Sequence, residues 1–202
     1  MTVIAVERLD KKRSRVLFDE GLALVLYPQD LRQFSLAEGS ELSEEAYTKL
    51  VNRILKPRAR ERLLKTLMVS DKTEKQLRDL LKREGYPESV IEDAVGMVKE
   101  YHYIDDEAYG SRYVQSQGKK KSRRQLVCAM QKKGFSRDLI DDLLEENPVN
   151  EREQIEQYLA QKGISVGDAL SREEYAKLAA KLARKGYSYD AIAQALQGEL
   201  FY

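Results

Sequence analysis

The chain of 202 residues has almost none of the residues that build disulfide frameworks and metal centres. Cys128 is its one cysteine, which excludes an internal disulfide, and its place in a helical pattern predicts a buried apolar group. His102 is its one histidine, and no cysteine or second histidine stands at ligand spacing from it. Acid pairs such as Asp141–Asp142 are direct neighbours, which point apart on a helix. The chain also lacks the glycine-rich phosphate loops and the nucleophile elbow of common enzymes. We therefore expect no metal, no cofactor and no catalytic site.

Long apolar runs and an excess of one charge are absent as well. No apolar run approaches the roughly 20 residues of a membrane-spanning helix, and the N-terminus lacks the apolar core of a secretory signal. Lysine and arginine number 35 and aspartate and glutamate 34, which gives a net charge of +1. Overall charge therefore does not steer the chain toward nucleic acid, and any steering must come from local clusters. We expect a soluble, cytoplasmic, monomeric protein that does not bind membranes.

The first residues are typical of a small sheet. Val3–Leu9, Arg15–Asp19 and Leu22–Tyr27 are short, rich in apolar or β-branched residues, and separated by turn residues. Glu20–Gly21 stands where a tight hairpin needs a positive φ. This pattern predicts a three-stranded antiparallel meander. A helix then begins after Ser43, and Pro57 is expected to end it, because the residue before a proline avoids helical geometry.

A repeated module follows the sheet. Gly85, Gly134 and Gly186 each precede an aromatic residue, a helix start and two apolar pairs at helical spacing. A period of about 50 residues in an all-helical pattern indicates stacked copies of one unit, here helix, helix, glycine-aromatic turn, helix. The predicted fold is mainly α, an elongated stack of tandem three-helix repeats preceded by the β meander. The predicted domains are 1–56 (meander plus helix), 57–104 (repeat one), 105–147 (repeat two) and 148–202 (repeat three).

A cluster of five cations marks repeat two. They are Lys119, Lys120, Lys121, Arg123 and Arg124. Ser122 and Gln125 form a capping box of the S-x-x-Q type, so a helix is predicted to start inside this basic turn. The positive end of a helix dipole adds to the cations and makes the turn a candidate site for phosphates or carboxylates. Two alternatives remain: a solvated loop, or neutralisation by acids of the next helix, such as Asp141 and Glu145.

Two weaker candidates accompany the basic turn. Arg58, Arg62 and Lys65 share one helix face, which is either a second basic binding face or an ordinary solvated face. Tyr109 and Tyr113 lie one helical turn apart. They can stack on nucleobases, or they can pack at the edge of the core.

The ordered set of features resembles the RecX family of bacterial recombination regulators. The resemblance rests on the three glycine-aromatic turns, on Thr73–Leu77 leading a helix to the first of them, and on Tyr103–Tyr113 followed by Gly118 and the sequence SRRQL. It covers roughly Arg58 to Leu196. It implies tandem three-helix repeats and binding to the DNA-bound filament of the recombinase RecA, with a usually inhibitory effect.

Other functional classes remain open on the sequence alone. A general single- or double-stranded DNA-binding repeat protein without a recombinase partner would share the basic turn, although the near-neutral net charge argues against it. A hydrolase or nuclease would need metal-dependent turnover, and no ligand cluster predicts one.

Overall fold

In the computed structural model, which describes residues 1–164 and 170–196, three strands at the N-terminus lead into a series of helices. The chain divides into two units, Met1–Asp105 (unit 1) and Asp106–Tyr202 (unit 2). The mainly helical fold with a small N-terminal sheet and three-helix repeats agrees with the sequence prediction.

The sheet is the predicted meander. Strands β1 (Val3–Arg8), β2 (Ser14–Phe18) and β3 (Ala23–Leu26) pair antiparallel in the order β1–β2–β3. Gly21 has a φ of +76° and its N–H donates to the carbonyl of Phe18 at 3.0 Å, which closes the β2–β3 turn. Alternate residues of β2 and β3 enter the core of unit 1, as period-two patterning requires: Val16, Phe18, Leu24 and Leu26.

The prediction that Pro57 ends a helix is wrong. Helix α1 (Pro28–Gln33) is separate. The helix that begins after Ser43 runs without a break from α2 (Glu44–Leu50) through a π-helical turn (Val51–Leu55) into α3 (Lys56–Leu67). The N–H of Lys56 donates to the carbonyl of Val51, five residues back. This wider turn places Pro57 in the first turn of α3, where its missing N–H has no partner to lose.

The remaining helices complete three repeats. Repeat one contains α3, α4 (Glu74–Arg83) and α5 (Glu88–Glu100). Repeat two contains α6 (Asp106–Gln117), α7 (Arg123–Lys133) and α8 (Arg137–Glu146). Repeat three contains α9 (Glu151–Ala160), α10 (Arg172–Arg184) and α11 (Tyr189–Leu196). The expected extension of the last helix to Leu200, and most of the connector 163–170, lie outside the described residues. The four-part division of the chain stays a prediction, and its boundary at residue 56 falls inside the continuous helical run.

The three aligned glycines occupy equivalent positions. Gly85, Gly134 and Gly186 follow α4, α7 and α10 with φ values of +82°, +95° and +86°. This left-handed backbone ends a helix with little strain only at a residue without a Cβ. The aromatic residue after each glycine packs against the core of its own unit or repeat: Tyr86, Phe135 and Tyr187.

Two apolar groups lie elsewhere than the sequence pattern indicates. Met68 stands at helical spacing from Leu64 in the sequence, but it is 85% exposed at the end of α3. Tyr101 and Tyr103, at the end of α5, are also exposed, with ring centroids 6.2 Å apart. Both cases lie at helix ends, where the chain leaves the periodic geometry that the sequence pattern assumes.

Candidate functional site

Buried polar contacts from repeat three fix the backbone of the basic turn, residues 119–124. The fully buried Ser122 hydroxyl donates to the carbonyl of Lys185 at 3.1 Å. The side-chain amide of Gln154, which is also buried, donates to the carbonyls of Gly118 and Lys121. Because these contacts hold main-chain atoms, the cationic side chains of the turn are left to face outward.

The start of α7 is already occupied by a carboxylate of the chain itself. Glu151 accepts a hydrogen bond from the N–H of Arg123 at 2.9 Å and another from the N–H of Ser188 at 2.8 Å. The expected capping box of Ser122 and Gln125 is present. Phosphates or carboxylates were expected at this turn, and a carboxylate of the chain, that of Glu151, accepts from the first N–H group of α7. Attraction for an external anion must come from the cationic side chains.

The acids of α8 take little part in neutralising the basic turn. Arg123 and Asp141 approach to 3.8 Å, and both side chains are half exposed. An ion pair of this length and exposure contributes little.

The five cations of the turn face different surfaces. Lys120, Lys121 and Arg124 line a groove between α7 and the end of α10, whereas Lys119 and Arg123 line separate depressions. We call the groove between α7 and the end of α10 the cationic groove, after its six basic residues: Lys120, Lys121, Arg124, Lys132, Arg184 and Lys185. No acidic residue is found among the described residues that line it.

Half of these cations already have contacts within repeats two and three. The ammonium of Lys121 donates to Gln117 at 2.7 Å, and the Nε of Arg184 donates to the carbonyl of Ala180 at 3.3 Å. The ammonium of Lys185 lies 5.0 Å from the ring centroid of Tyr158. A hydrogen bond from Lys181 lowers the pKa of the same Tyr158 phenol.

The other three cations of the groove are available to a ligand. Within residues 1–164 and 170–196, the side chains of Lys120, Arg124 and Lys132 have no hydrogen-bond or ion-pair partner. All three residues are exposed, so their charge needs no internal compensation. These three side chains are the strongest anion-binding candidates of unit 2.

Helical spacing places an unexpected residue in the groove. Arg124, Cys128 and Lys132 lie four residues apart and share the exposed face of α7, opposite the buried Leu126 and Met130. The prediction that Cys128 is buried is wrong, since its residue is exposed and lines the groove.

Gly186 lets the two walls of the groove approach each other. A Cβ at this position would lie 3.1 Å from the hydroxyl of Ser122 and 3.3 Å from the Cβ of Arg124. The third glycine of the repeat pattern therefore has a second role besides its left-handed backbone, because it brings the end of α10 against the start of α7.

The second basic face has its charges matched by nearby carboxylates. Arg58 donates two hydrogen bonds to the buried Asp30, at 2.9 and 3.0 Å, and its guanidinium lies 4.2 Å from the ring centroid of Tyr27. Arg62 pairs with Glu84 at 2.8 Å. Lys65 forms an ion pair with Glu61, one helical turn before it. This face lies in unit 1, and these pairs favour a structural role for Arg58 and a solvated face for the others.

A further ion pair of α3 shows the same internal use of charge. Burial raises the pKa of Asp93, but hydrogen bonds from Arg60 and Lys56 outweigh that effect and hold this pKa below its usual range. The Asp93 carboxylate lies 2.7 Å from Arg60 and 3.2 Å from Lys56. Lys56 and Arg60 thus link α3 to α5.

The geometry of Tyr109 and Tyr113 favours packing over base stacking. Both are half-buried against the core of repeat two, with ring centroids 6.5 Å apart. The ammonium of Lys133 lies 5.7 and 5.2 Å from the two ring centroids and donates to the Tyr109 hydroxyl at 3.1 Å. An ammonium over the rings occupies surface that a nucleobase would need.

The described part of the chain offers neither a metal cluster nor a spanning helix. Within residues 1–164 and 170–196, no group of three histidine, cysteine, aspartate or glutamate residues is placed to hold a metal ion. No helix in the same ranges has the length and apolar content needed to cross a bilayer.

Sequence reasoning missed the contributions of Lys132, Arg184 and Lys185 to the groove. The spacing of eight residues from Arg124 to Lys132, two four-residue steps through Cys128, was a readable signal, whereas the basic pair directly before Gly186 was not specific to a groove. The approach of α10 to α7 had no local signal, because it depends on packing between repeats.

The comparisons with known proteins agree with this architecture. The model of the first three-helix domain of RecX matches residues 59–96, and that of the third three-helix domain matches residues 165–196. The regulatory protein RecX of Clostridium botulinum strain Eklund 17B is 29% identical over 196 residues, which cover 95% of this chain and 92% of that protein. The regulatory protein RecX of Caldanaerobacter subterraneus is 28% identical over 193 residues and 95% of each chain.

Solved structures show the same fold. A crystal structure of regulatory protein RecX superposes with a TM-score of 0.63 at 24% identity, covering 98% of this chain and 99% of that one. The structure of RecX from Lactobacillus salivarius gives a TM-score of 0.60 at 22% identity, covering 71% and 95% of the two chains. With its sheet and its three glycine-aromatic turns, the chain is similar over nearly its whole length to the regulatory proteins named RecX, and its residues 59–96 and 165–196 match models of RecX domains.

Proposed function

We propose that the protein binds the nucleoprotein filament that RecA forms on DNA and inhibits its ATPase, strand-exchange and coprotease activities. The relatives are named regulatory proteins, and the resemblance to their family implies RecA as the partner. The observation that carries the proposal is the basic turn, which presents unpaired cations on a chain whose net charge is only +1. Such a local field attracts DNA phosphates or an acidic protein surface without general attraction for nucleic acid.

Three consecutive repeats supply several surfaces for one partner. A regulator that contacts successive RecA subunits would oppose the subunit movements that ATP turnover and strand exchange require. In this proposal the basic turn contacts DNA or an acidic surface of the filament, and the other repeats contact neighbouring protein. The protein acts by binding, without a catalytic step of its own.

Filament binding is tested by comparing two forms of DNA. We expect affinity for single-stranded DNA coated with RecA and a non-hydrolysable nucleotide to exceed affinity for the bare strand by at least about 10-fold, a difference of about 1.4 kcal/mol. Fluorescence anisotropy of the labelled protein measures both affinities under the same salt. Tighter binding to the bare strand would instead support a general DNA-binding repeat protein.

The basic turn is tested by removing its five cations. Alanine at Lys119, Lys120, Lys121, Arg123 and Arg124 is expected to weaken filament binding at least about 10-fold, because roughly two or three charge-assisted contacts are lost. Helicity by circular dichroism should change little, since the turn is held by Ser122 and Gln154.

A matched control removes the same number of lysines and arginines from exposed sites elsewhere. The control positions are Lys49, Lys75, Lys177, Arg137 and Arg152. Filament binding should be nearly normal in this variant. If the turn variant bound the filament like the control, the basic turn would have no part in the mechanism.

A further inference from the structure

We propose that the cationic groove between repeats two and three binds the phosphodiester backbone of DNA, independently of base sequence. The inference rests on the proposed function and deepens it, because it assigns the groove to the DNA of the filament and not to RecA. It also extends the binding residues from the basic turn to Lys132 on α7 and to Arg184 and Lys185 at the end of α10.

The charge distribution is the first argument. The groove gathers six cations, and the described residues that line it include no carboxylate, although the whole chain is almost neutral. The acids of repeat two lie outside the groove, two on α6 and five on α8: Asp106, Glu107, Asp138, Asp141, Asp142, Glu145 and Glu146. Segregation of this kind produces a local positive potential that a polyanion can use. Lys120, Arg124 and Lys132 have no partner among the described residues, so binding them breaks no internal ion pair.

The row of charges along α7 fits a polymer better than a single small anion. Arg124 and Lys132 are separated by eight residues on one helix face, which places their Cα atoms about 12 Å apart. One strand of B-form DNA carries a phosphate for every 3.4 Å or so of helix axis, so this row spans about three to four successive phosphates. Lys120 extends the row beyond the start of the helix. An isolated phosphate would engage only one end of it.

The uncharged lining argues against a protein occupant and against base readout. The remaining described lining residues are small or polar: Gln125, Cys128, Ala129, Ala183 and Gly186. Protein interfaces concentrate their energy on buried aromatic and other large anchors, and this lining offers no pocket built for one. Base stacking requires aromatic faces, which the described lining also lacks. Contacts to the backbone alone bind without reading sequence.

Two matched variants test the assignment. The groove variant carries Lys120→Gln, Arg124→Gln and Lys132→Gln, and the control carries Arg137→Gln, Lys162→Gln and Lys177→Gln, all at exposed positions with the same change in net charge. Affinity for bare single- and double-stranded oligonucleotides of unrelated sequence is measured from 50 to 200 mM salt. If three phosphate contacts are lost, wild type should lose about 20- to 40-fold more affinity than the groove variant across that range. The control should follow wild type, and circular dichroism checks that all three proteins are folded.

The single cysteine provides an independent readout. Cys128 lies in the groove between Arg124 and Lys132, and it is the one thiol of the chain. Alkylation by the uncharged reagent N-ethylmaleimide should slow several-fold when wild type is saturated with DNA. The groove variant should show little protection at the same DNA concentration.

Three results would overturn the assignment. One is equal salt dependence in wild type and the groove variant. Another is unchanged alkylation of Cys128 when DNA is bound. The third is loss of filament binding by the groove variant with normal binding to bare DNA, which would assign the groove to an acidic protein surface. If wild type did not prefer RecA-coated DNA, only the proposed binding to RecA would be contradicted. The measurements on bare DNA would still test the groove.

Discussion

Replacing Asp30 by alanine is expected to lower the free energy of unfolding by about 3–5 kcal/mol. Asp30 is 1% exposed, receives two hydrogen bonds from Arg58 and accepts a third from the N–H of Tyr27 at the start of α1. Arg58 is only 19% exposed and lies under the ring of Tyr27. Without its carboxylate, this guanidinium remains largely buried with no opposite charge, which is the costly state for a buried pair.

The measurement is urea unfolding of the full chain followed by circular dichroism. The control is Glu45→Ala, which removes an ion pair with Lys49 whose side chains are 78% and 54% exposed. A pair so exposed contributes about 0.2–1 kcal/mol at most, so the control should unfold near the wild-type midpoint. If Asp30→Ala unfolded with the control, Arg58 would reach water in the variant, and the pair would not anchor α3 to α1.

The helix face and the ion-pair partner of Arg58 show which features can be predicted from the sequence and which cannot. The spacing of Arg58, Arg62 and Lys65 predicts a shared helix face, and the helix exists as predicted. The partner of Arg58 precedes it by 28 residues, in a separate short helix. No local pattern indicates that pairing, because it arises when the two helices pack. The contact between Glu151 and the start of α7 could not be predicted for the same reason.

The elements that could be predicted depend on short-range geometry. Short apolar or β-branched segments between turn residues predicted the strands, helical spacing predicted the repeats, and the glycines that end α4, α7 and α10 are explained by backbone conformation alone. The candidate site was predicted in part. The basic turn is local, whereas the wall formed by Arg184 and Lys185 depends on where α10 ends. By itself, a basic pair at the end of a helix indicates only a favourable interaction with the helix dipole.

The first of the three glycines also joins the sheet to repeat one. A Cβ at Gly85 would overlap the Cγ2 of Val25 on β3 and approach the Cβ of Val25 to 3.0 Å. The same glycine has a φ of +82°, so a substitution there faces two separate penalties. Gly39 provides a natural control, since its φ is +80° and no heavy atom in the described part of the chain lies within 4 Å of a Cβ built on it.

Gly85→Ala is therefore expected to cost more than Gly39→Ala. The left-handed backbone alone costs an alanine about 1–2 kcal/mol, which both variants share. Overpacking against Val25 adds about 1–3 kcal/mol at Gly85 only. Urea unfolding of the two variants measures this difference. Equal losses would mean that the turn after α4 moves away from β3 without cost.

A double variant separates the two penalties at Gly85. Val25→Ala removes the methyl groups that the new Cβ would meet, so it should cost less in the Gly85→Ala background than in wild type. A favourable coupling of about 1 kcal/mol or more is expected, because residues in contact depart from additivity by about 0.5–3 kcal/mol. The same cycle with Gly39→Ala should give no coupling, since nothing described near Gly39 contacts the added methyl group. Coupling at Gly85 alone would show that the glycine-aromatic turn of repeat one has a role besides ending a helix. The turn would also be the surface against which β3 of the N-terminal sheet packs.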